Sequence, residues 1–248
     1  MRVQVHEVRC VSSVHHDSLG DAVPPPPDAL IRFDRVAKSY STRDGVHVSA
    51  LSGIDLSVAA GSVLGVIGRS GAGKSSLIRL INGLERPSAG TIKVGDAEVS
   101  SLDERALRHV RRRIGMIFQD PLSALTPVYT IGDQIVEALQ VHSKMSDKDA
   151  WARAIELLDL VGIPNPEVRA KAFPHEFSGG MRQRVVIAMA IANDPDLIIA
   201  DEPTTALDVT IQAQILDLLR VAQRETHAGV VMITHDLGVV AGLADRVA

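Results

Sequence analysis

The stretch Gly68-Arg69-Ser70-Gly71-Ala72-Gly73-Lys74-Ser75 decides the fold of this 248-residue chain. It fits the pattern G-x-x-x-x-G-K-[ST], in which a glycine-rich turn presents backbone N–H groups to phosphate oxygens. Glycines keep side chains out of such a turn and allow positive φ angles. Lys74 would bring a point charge to the β- and γ-phosphates of a nucleotide, and the Ser75 hydroxyl can ligate Mg²⁺.

Both flanks of this stretch fit a nucleotide-binding loop. The apolar run Val63-Leu64-Gly65-Val66-Ile67 is typical of a buried strand, and residues 75–81 have the pattern of a helix. Helix N-termini attract phosphate through their free N–H groups and their dipole. A chance glycine-rich turn is the alternative, and the order strand, loop, helix argues against it. The residues assigned to nucleotide binding here are Gly68, Arg69, Ser70, Gly71, Ala72, Gly73, Lys74, Ser75 and Ser76.

The composition is typical of a soluble globular protein. Apolar residues make up 46% and charged residues 23% of the chain, which is long enough for one large domain or two lobes. The formal charge of -4 gives no reason to expect nucleic acid as a partner, and Arg111-Arg112-Arg113 without interleaved aromatics indicates a solvated face. No apolar run approaches the ~20 residues that span a bilayer. The N-terminus lacks the apolar core of a signal peptide and Cys10 is the only cysteine, so we expect a reducing, cytoplasmic compartment.

The first 29 residues differ from the rest of the chain. They contain Pro24-Pro25-Pro26-Pro27 and little periodicity, and proline-rich segments favour an extended, unpacked backbone. Residues 1–29 are therefore predicted to form a flexible leader before a folded domain at 30–248. His15-His16 could ligate a metal, but no spaced His or Cys supports this, and a solvated pair is the simpler interpretation.

The folded domain is predicted to alternate strands and helices around one helical insert. Alternating apolar residues predict strands at 31–36 and 49–58, with a loop around Arg43-Asp44-Gly45 between them. A short strand is expected at 91–94, and a basic helix at 102–113 leads into a strand at 114–118. Apolar stripes at helical spacing predict helices between 130 and 172, where Trp151 packs against its neighbours.

Two later strands carry candidate catalytic side chains. Residues 197–202 have the pattern of an apolar strand that ends in Asp201, which can hold Mg²⁺, and Glu202, which can polarise a water molecule as general base. An apolar strand before an acidic turn is common by itself, so this pair alone leaves both interpretations open. His235 follows a second buried strand, where a lone histidine is more often structural. Tyr40 could stack on a nucleotide base or be a surface residue of its strand.

Taken in order, these segments resemble the ATP-binding subunits of ABC transporters. Ser178-Gly179-Gly180-Met181-Arg182-Gln183 is similar to the family signature, and Gln119 lies where the Q-loop glutamine belongs. Thr205-Ala206-Leu207-Asp208 resembles the D-loop, His235 matches the switch histidine, and Tyr40 matches the adenine-stacking aromatic. The resemblance extends from about residue 31 to the end of the chain.

The resemblance implies an α/β fold, a P-loop NTPase ABC cassette. Such a cassette has a mainly parallel core sheet, an antiparallel β subdomain and a helical subdomain, here at about residues 120–190. It implies an ATPase that binds ATP and Mg²⁺ in a head-to-tail dimer with an identical or different ATP-binding subunit. The catalytic residues would be Lys74, Gln119, Glu202 and His235, the metal ligands Ser75, Gln119 and Asp201, and the nucleotide contacts would further include Tyr40, Ser178, Gly179, Gly180 and Asp208.

Subfamily features are mixed along the chain. Residues 65–68, 70–75, 84–87 and 112–119 resemble methionine-importer ATPases, whereas residues 120–132 and 200–215 are similar to dipeptide, oligopeptide and nickel importers. Because the predicted membrane-facing insert lies in the second part, the resemblance favours uptake of peptides or nickel, with a methionine-type importer as the alternative. It implies a separate integral-membrane permease, an indirectly coupled solute-binding protein, and a peripheral position on the cytoplasmic face of the cell (inner) membrane.

Three features depart from the family pattern. Phe177 stands where the wider family favours leucine, the proline-rich leader has no family counterpart, and the chain stops at Asp245-Arg246-Val247-Ala248, inside an expected strand. We therefore expect a C-terminally truncated cassette, and a nucleotide-binding remnant without turnover is a second alternative. A soluble ABC ATPase for DNA repair or translation is disfavoured because the chain has neither long coiled coils nor a second cassette. The importer-like residues after Gln119 argue against an exporter.

Overall fold

A computed structural model describes residues 4–5, 29–41, 47–69, 71–205 and 207–248. The chain divides into two compact units, one formed by Met1–Arg111 with His235–Ala248 and the other by Arg112–Thr234. The predicted loop around Arg43-Asp44-Gly45 lies outside the described residues, as does the predicted leader apart from Gln4, Val5 and Ala29. Gln4 and Val5 form a two-residue strand.

Strands and helices alternate along the described parts of the chain. In chain order they are β1 Gln4–Val5, β2 Ala29–Ser41, β3 His47–Ala59, β4 Val63–Ile67, α1 Lys74–Ile81, β5 Ala89–Val94, β6 Ala97–Glu98, α2 Glu104–Arg111, β7 Ile114–Ile117, α3 Pro121–Ala124, α4 Ile131–Gln140, α5 Asp147–Leu160, α6 Pro166–Arg169, α7 Gly179–Ile191, β8 Leu197–Asp201, α8 Val209–Thr226, β9 Gly229–Thr234, α9 Leu237–Leu243 and β10 Arg246–Val247. A short 3₁₀ helix at Pro174–Glu176 precedes α7.

The first unit contains an antiparallel sheet in the order β3-β2-β5-β6. Phe33 in β2 lies opposite Leu56 in β3 and Ile92 in β5. Ile31 and Phe33 are buried and the intervening Arg32 is exposed, because successive side chains of a strand point to opposite faces. The predicted strands at 31–36 and 49–58 are therefore confirmed, and both extend further than predicted.

The first unit also carries the strand that leads into the glycine-rich loop. β4 pairs in parallel with β10, which pairs in parallel with β1. A Cβ atom at Gly65 of β4 would lie 2.6 Å from Cγ1 of Val240 in α9. Glycine at position 65 thus lets α9 pack closely against β4. After the loop, the buried face of α1 consists of Leu77, Ile78, Leu80 and Ile81.

The second unit is built on the parallel strands β7, β8 and β9. Leu197 in β8 lies opposite Ile114 in β7 and Gly229 in β9. All six residues of β9 are buried, as expected for a parallel sheet covered on both faces. α7 lies close to β7, since a Cβ atom at Gly115 would be 2.3 Å from the carbonyl oxygen of Ala190.

The helices predicted between residues 130 and 172 are present as α4, α5 and α6. Ile131, Ile135 and Leu139 form the buried stripe of α4. A Cβ atom at Gly132 would lie 2.6 Å from the ring of Trp151, so this tryptophan packs against α4 as the sequence predicts.

The predicted basic helix is shorter than its pattern suggests. It covers Glu104–Arg111 instead of residues 102–113. Oδ1 of Asp103 accepts a hydrogen bond of 2.8 Å from the N–H of Ala106, so Asp103 caps the helix and excludes Leu102 from it. The carbonyl oxygen of Arg113 accepts a hydrogen bond from the N–H of Leu197 at the start of β8. Residue 113 therefore lies beside the sheet and is not part of the helix.

The predicted α/β class is confirmed, with parallel strands, an antiparallel sheet and a mainly helical segment. Within the described part of the chain, no helix has both the length and the apolar character needed to cross a membrane.

Candidate nucleotide-binding site

The glycine-rich loop connects β4 to α1. Gly71 and Gly73 have φ angles of 82° and 86°, a region in which a side chain is strained. A Cβ atom at Gly73 would also lie 2.5 Å from the carbonyl oxygen of Ala50. The backbone therefore needs glycine at both positions, as the sequence predicts. The predicted phosphate contact Ser70 lies outside the described residues.

Lys74 folds back over the loop that precedes it. Its Nζ donates hydrogen bonds to the carbonyl oxygens of Gly68, at 2.6 Å, and Arg69, at 3.1 Å. The ammonium group therefore adds its charge to the free N–H groups at the start of α1, where the exposed Ser75 also lies. This charge and the N–H donors at the start of α1 are suited to bind a polyphosphate.

Tyr40 lies near the end of β2 in the same unit. Its hydroxyl group is 2.9 Å from Oγ of Ser76 in α1, and it donates a hydrogen bond to the carboxylate of Glu85. Nζ of Lys38 lies 4.9 Å from the centroid of the Tyr40 ring. Base stacking by Tyr40 stays a prediction. None of these three partners was predicted from the sequence, although the two-residue period of β2 already places residues 38 and 40 on one face.

Glu85 gathers three donors in this cluster. Besides Tyr40, it pairs with Nζ of Lys38 and with the guanidinium of Arg79, both at 3.2 Å. Burial raises the pKa of the Glu85 carboxyl, but hydrogen bonds from Tyr40, Arg79 and Lys38 outweigh it and hold the pKa below its ordinary value. Glu85 is therefore a carboxylate at neutral pH.

In the second unit, the candidate general base follows β8 directly. Asp201 is still in register with Ile233 of β9, whereas Glu202 has a φ angle of 47°, which is uncommon for a residue other than glycine. Oε2 of Glu202 accepts hydrogen bonds from Nε2 of Gln119, at 3.2 Å, and from Oγ1 of Thr205, at 3.0 Å. The fold thus brings together Gln119 and Glu202, which are 83 positions apart. Strained backbone of this kind clusters at functional sites.

The backbone next to Gln119 is held by α7. Nε2 of Gln183 donates a hydrogen bond of 3.3 Å to the carbonyl oxygen of Phe118. Gln183 is 1% exposed, so its amide is buried in the interior of the second unit. In the sequence, Gln183 is only the last residue of the signature, and nothing in its local pattern identifies Phe118 as its partner.

The signature residues form the start of α7. Oγ of Ser178 accepts a hydrogen bond from the N–H of Met181 and so caps the helix. Gly179 is exposed, whereas a Cβ atom at Gly180 would lie 2.8 Å from Cγ2 of Ile211. Glycine at position 180 therefore lets α7 pack against α8, and the backbone at position 179 stays accessible.

Phe177, just before the signature, and Asp208, the last residue of the D-loop, have structural roles within the second unit. Phe177 is 3% exposed and its ring lies 5.6 Å from the guanidinium carbon of Arg169, so the departure from leucine is a packing feature. Oδ1 of Asp208 accepts a hydrogen bond of 3.0 Å from the N–H of Ile211 and caps α8. Ala206 of the D-loop lies outside the described residues.

The remaining predicted site residues lie in both units. His235 is exposed after β9 and belongs to the first unit with Ser75, whereas Gln119 and Asp201 belong to the second. Among the described residues there is no group of three or more His, Cys, Asp or Glu side chains that could hold a metal ion. Mg²⁺ does not require one, because it is usually held by one or two carboxylates together with substrate phosphates and water.

A buried strand, a loop with two left-handed glycines and a lysine folded over it define this chain as a P-loop nucleotide-binding protein. A family model described as "ABC transporter" matches residues 51–205, which is more than half of the chain. The chain belongs to the ABC transporter family.

Similar proteins have names from peptide transport. The chain is 54% identical over 222 residues to the oligopeptide transport ATP-binding protein OppD of Mycobacterium tuberculosis, covering 88% of this chain and 36% of that protein. It is 50% identical over 225 residues to OppD of Bacillus subtilis, covering 88% of this chain and 63% of the relative. The dipeptide transport ATP-binding protein DppD of Bacillus subtilis is 50% identical over 227 residues, which cover 89% of this chain and 68% of DppD. The chain therefore spans between about a third and two thirds of the length of these relatives.

Solved structures confirm the predicted cassette fold. The ATP-binding cassette MJ0796, solved as a dimer in a post-hydrolysis state with ADP and Pi, superposes with a TM-score of 0.76 at 31% identity, over 88% of this chain and 96% of that one. The protein cbiO1 of Clostridium perfringens, part of an ABC transporter complex, superposes with a TM-score of 0.78 at 29% identity, over 89% and 84% of the two chains.

Proposed function

We propose that this chain is the ATP-hydrolysing subunit of an ABC importer that takes up peptides. The observation that carries the proposal is the cluster at the end of β8, where Glu202 leaves the strand at a φ angle of 47° and accepts hydrogen bonds from Gln119 and Thr205. The names of the relatives support the cargo class. Their matches cover 88–89% of this chain, including the part that resembles methionine importers, and so favour peptides over methionine.

The glycine-rich loop would bind the triphosphate. Lys74 would exchange its two carbonyl acceptors for phosphate oxygens, which are stronger, charge-assisted acceptors. The hydroxyl of Ser75, the amide of Gln119 and the carboxylate of Asp201 are oxygen donors of the kind that Mg²⁺ prefers. When bound, Mg²⁺ would neutralise charge on the β- and γ-phosphates. Tyr40 would stack on the adenine base.

Hydrolysis would depend on the orientation of Glu202. Its carboxylate would take a proton from the attacking water, which makes the water a better nucleophile. The two hydrogen bonds from Gln119 and Thr205 support this role, because they fix the carboxylate in one orientation before the substrate arrives. His235 would donate a hydrogen bond to the γ-phosphate.

Ser178, Gly179, Gly180 and Asp208 would act on the nucleotide of a second subunit in a head-to-tail dimer. Two observations support this. The backbone at Gly179 is exposed, and the cassette MJ0796 was solved as a dimer. In such a dimer each nucleotide completes its contacts only when both subunits are present, so binding and assembly depend on each other.

A membrane permease would contact the second unit after Gln119. Leu122, Val128 and Tyr129 lie in this segment and are each more than half exposed. These exposed apolar side chains are available to pack against a partner protein. The chain would then lie at the cytoplasmic face of the cell membrane, act on a solute-binding protein only indirectly, and have no nucleic-acid partner.

Mg²⁺-dependent ATP hydrolysis tests the enzymatic part of the proposal. Replacing Glu202 by Gln should keep ATP binding, because the side-chain size is retained, and should lower turnover by about 10²–10⁴-fold. Glu167→Gln, an exposed change in α6, should hydrolyse ATP like the wild type. Equal turnover in wild type and Glu202→Gln would contradict the proposal. ATP binding without turnover in the wild type would favour a nucleotide-binding remnant.

A further inference from the structure

The hydroxyl of Tyr40 joins β2 to the helix that follows the phosphate loop. Its oxygen lies 2.9 Å from Oγ of Ser76, two positions after Lys74 in the first turn of α1. It also donates to Oε2 of Glu85. Because a carboxylate only accepts, the tyrosine proton is used toward Glu85, and the Ser76 hydroxyl must donate to the tyrosine oxygen. The direction of both hydrogen bonds is therefore fixed.

The Tyr40 ring is also held on one face. Nζ of Lys38 lies 4.9 Å from the ring centroid, within the range of a cation–π interaction. The same ammonium pairs with Glu85 at 3.2 Å and donates to the carbonyl oxygen of Arg86 at 2.9 Å. The side chains of Lys38 and Glu85 are 14% and 18% exposed, so this pair is shielded from the screening that weakens surface ion pairs.

We propose that Lys38, Ser76 and Glu85 are positioning residues that hold the Tyr40 ring at a fixed place relative to the phosphate loop, so that a purine nucleotide base stacks on the ring face opposite Lys38. This rests on the proposed function, in which Tyr40 contacts the base and α1 the phosphates. A ring fixed before binding loses little conformational entropy when the base arrives, which favours affinity. Because Ser76 of the cluster is part of α1, the cluster fixes the distance between the base that stacks on Tyr40 and the phosphates at the start of α1.

Nucleotide binding with and without a base tests this assignment. ATP and inorganic triphosphate, each with Mg²⁺, are titrated calorimetrically into the wild-type chain and into Tyr40→Phe and Glu85→Gln. Both variants keep the aromatic ring. Tyr40→Phe removes the hydrogen bonds of the hydroxyl with Ser76 and Glu85, and Glu85→Gln removes the negative charge that holds Tyr40 and Lys38. We expect ATP affinity to fall by about fivefold in Glu85→Gln, the usual effect of one hydrogen bond, and by at least as much in Tyr40→Phe, while triphosphate affinity stays within about twofold. The double variant should lose less than the product of the two single losses, because both changes weaken the contact between Tyr40 and Glu85.

Glu104→Gln is the matched control. Glu104 pairs with Arg111 in the same unit, but no hydrogen bond or ion pair joins this pair to the Tyr40 cluster among the described residues. It should bind both probes like the wild type. In turnover measurements, Tyr40→Phe and Glu85→Gln should raise KM for ATP and leave kcat within about twofold, which a general loss of structure would not do.

Three results would overturn the assignment. If Tyr40→Ala weakens ATP binding but Tyr40→Phe and Glu85→Gln do not, the ring contacts the base without help from the cluster, and the proposed function stands. If the variants weaken triphosphate binding as much as ATP binding, the cluster only stabilises the loop. If the wild type binds neither probe, the proposed function fails together with the inference. Since Tyr40→Phe removes a single oxygen atom, it tests the inference even if Glu85→Gln does not fold.

Discussion

At the scale of single residues, the candidate site depends on side chains whose hydrogen-bond partners hold them in one position. Glu85 is surrounded by Tyr40, Arg79 and Lys38, which favour its ionised form. Glu202 accepts from Gln119 and Thr205, and Lys74 donates to the loop that it would share with phosphates. In each case hydrogen bonds within the protein set the position of a charge before any ligand is present, which is the physical basis of preorganisation.

The depressed pKa of Glu85 predicts a specific pH dependence of stability. A carboxyl whose pKa is lower in the folded than in the unfolded state stabilises the fold above the ordinary pKa of 4.5, and this contribution is lost as the pH falls below it. Glu85→Gln should therefore be less stable than wild type at pH 7, and the difference should shrink below pH 4.5. Urea unfolding midpoints measured across this range test it. A difference that stays constant with pH would show that Glu85 acts through packing instead.

Lys74→Ala should lose nucleotide affinity and keep the fold. The change removes the charge that would face the phosphates, which is worth about tenfold or more in affinity for a charge-assisted hydrogen bond. The carbonyl groups of Gly68 and Arg69 lie in an accessible loop, so water can replace the lost donor and the melting temperature should change little. Calorimetric titration with ATP measures the effect, and Lys171→Ala, an exposed lysine after α6, is the control. Unchanged ATP binding would refute the role given to Lys74.

At the scale of elements, α7 connects several parts of the second unit. Ser178 caps its start, Gln183 holds the backbone before Gln119, and Ala190 lies against Gly115 of β7. The close approach of α7 to β7 thus determines the position of Gln119, which follows the strand.

Gly115→Ala should test this approach. The added Cβ atom would lie 2.3 Å from a backbone oxygen of α7, which cannot rotate away, so helix or strand must shift at a cost of about 1–3 kcal/mol in the free energy of unfolding. Gly242→Ala in α9 is the matched control, because nothing lies within 4 Å of the added atom and alanine favours the helix by about 0.5–1 kcal/mol. Equal unfolding midpoints for the two variants would show that α7 is not tightly packed on β7.

At the scale of the whole molecule, we propose that the residues acting on one nucleotide come from two chains. The phosphate loop belongs to the first unit and the signature to the second, and the proposal pairs each loop with the signature of the partner. Loss of the loop in one chain and of the signature in the other should then leave one intact site in a mixed dimer.

Mixing Lys74→Ala with Gly179→Asp should therefore restore hydrolysis that neither variant has alone. The aspartate would repel phosphates through its charge, whereas its Cβ atom would meet only Leu207, at an ordinary 3.8 Å, so the chain should fold. Random mixing puts half of the chains into mixed dimers with one good site of two, which predicts about a quarter of wild-type activity if the sites turn over independently. Absence of restored activity, with mixed dimers demonstrated by differential tags, would contradict a shared site.

Much of this arrangement could be predicted from the sequence, because it is local. The run 63–75 specifies strand, loop and helix through hydrophobic pattern and glycine content, and the structure has β4, the loop and α1 in these places. The helix ends were less predictable. Asp103 determines where α2 begins, because its side chain caps the N-terminus of the helix. The basic pattern of residues 102–113 does not reveal this hydrogen bond.

The sequence by itself determined the family, the α/β class and the candidate phosphate loop, which is a contiguous motif with its own backbone requirement. It gave Gln119, His235 and Tyr40 only as single positions that match the family pattern. Only the tertiary structure shows which side chains form hydrogen bonds with those residues and with the backbone beside them. The contacts of Glu202 with Gln119, of Gln183 with Phe118 and of Tyr40 with Glu85 join positions 83, 65 and 45 apart. Such pairings depend on how strands and helices pack, and hydrophobic periodicity specifies only which face of each element is buried.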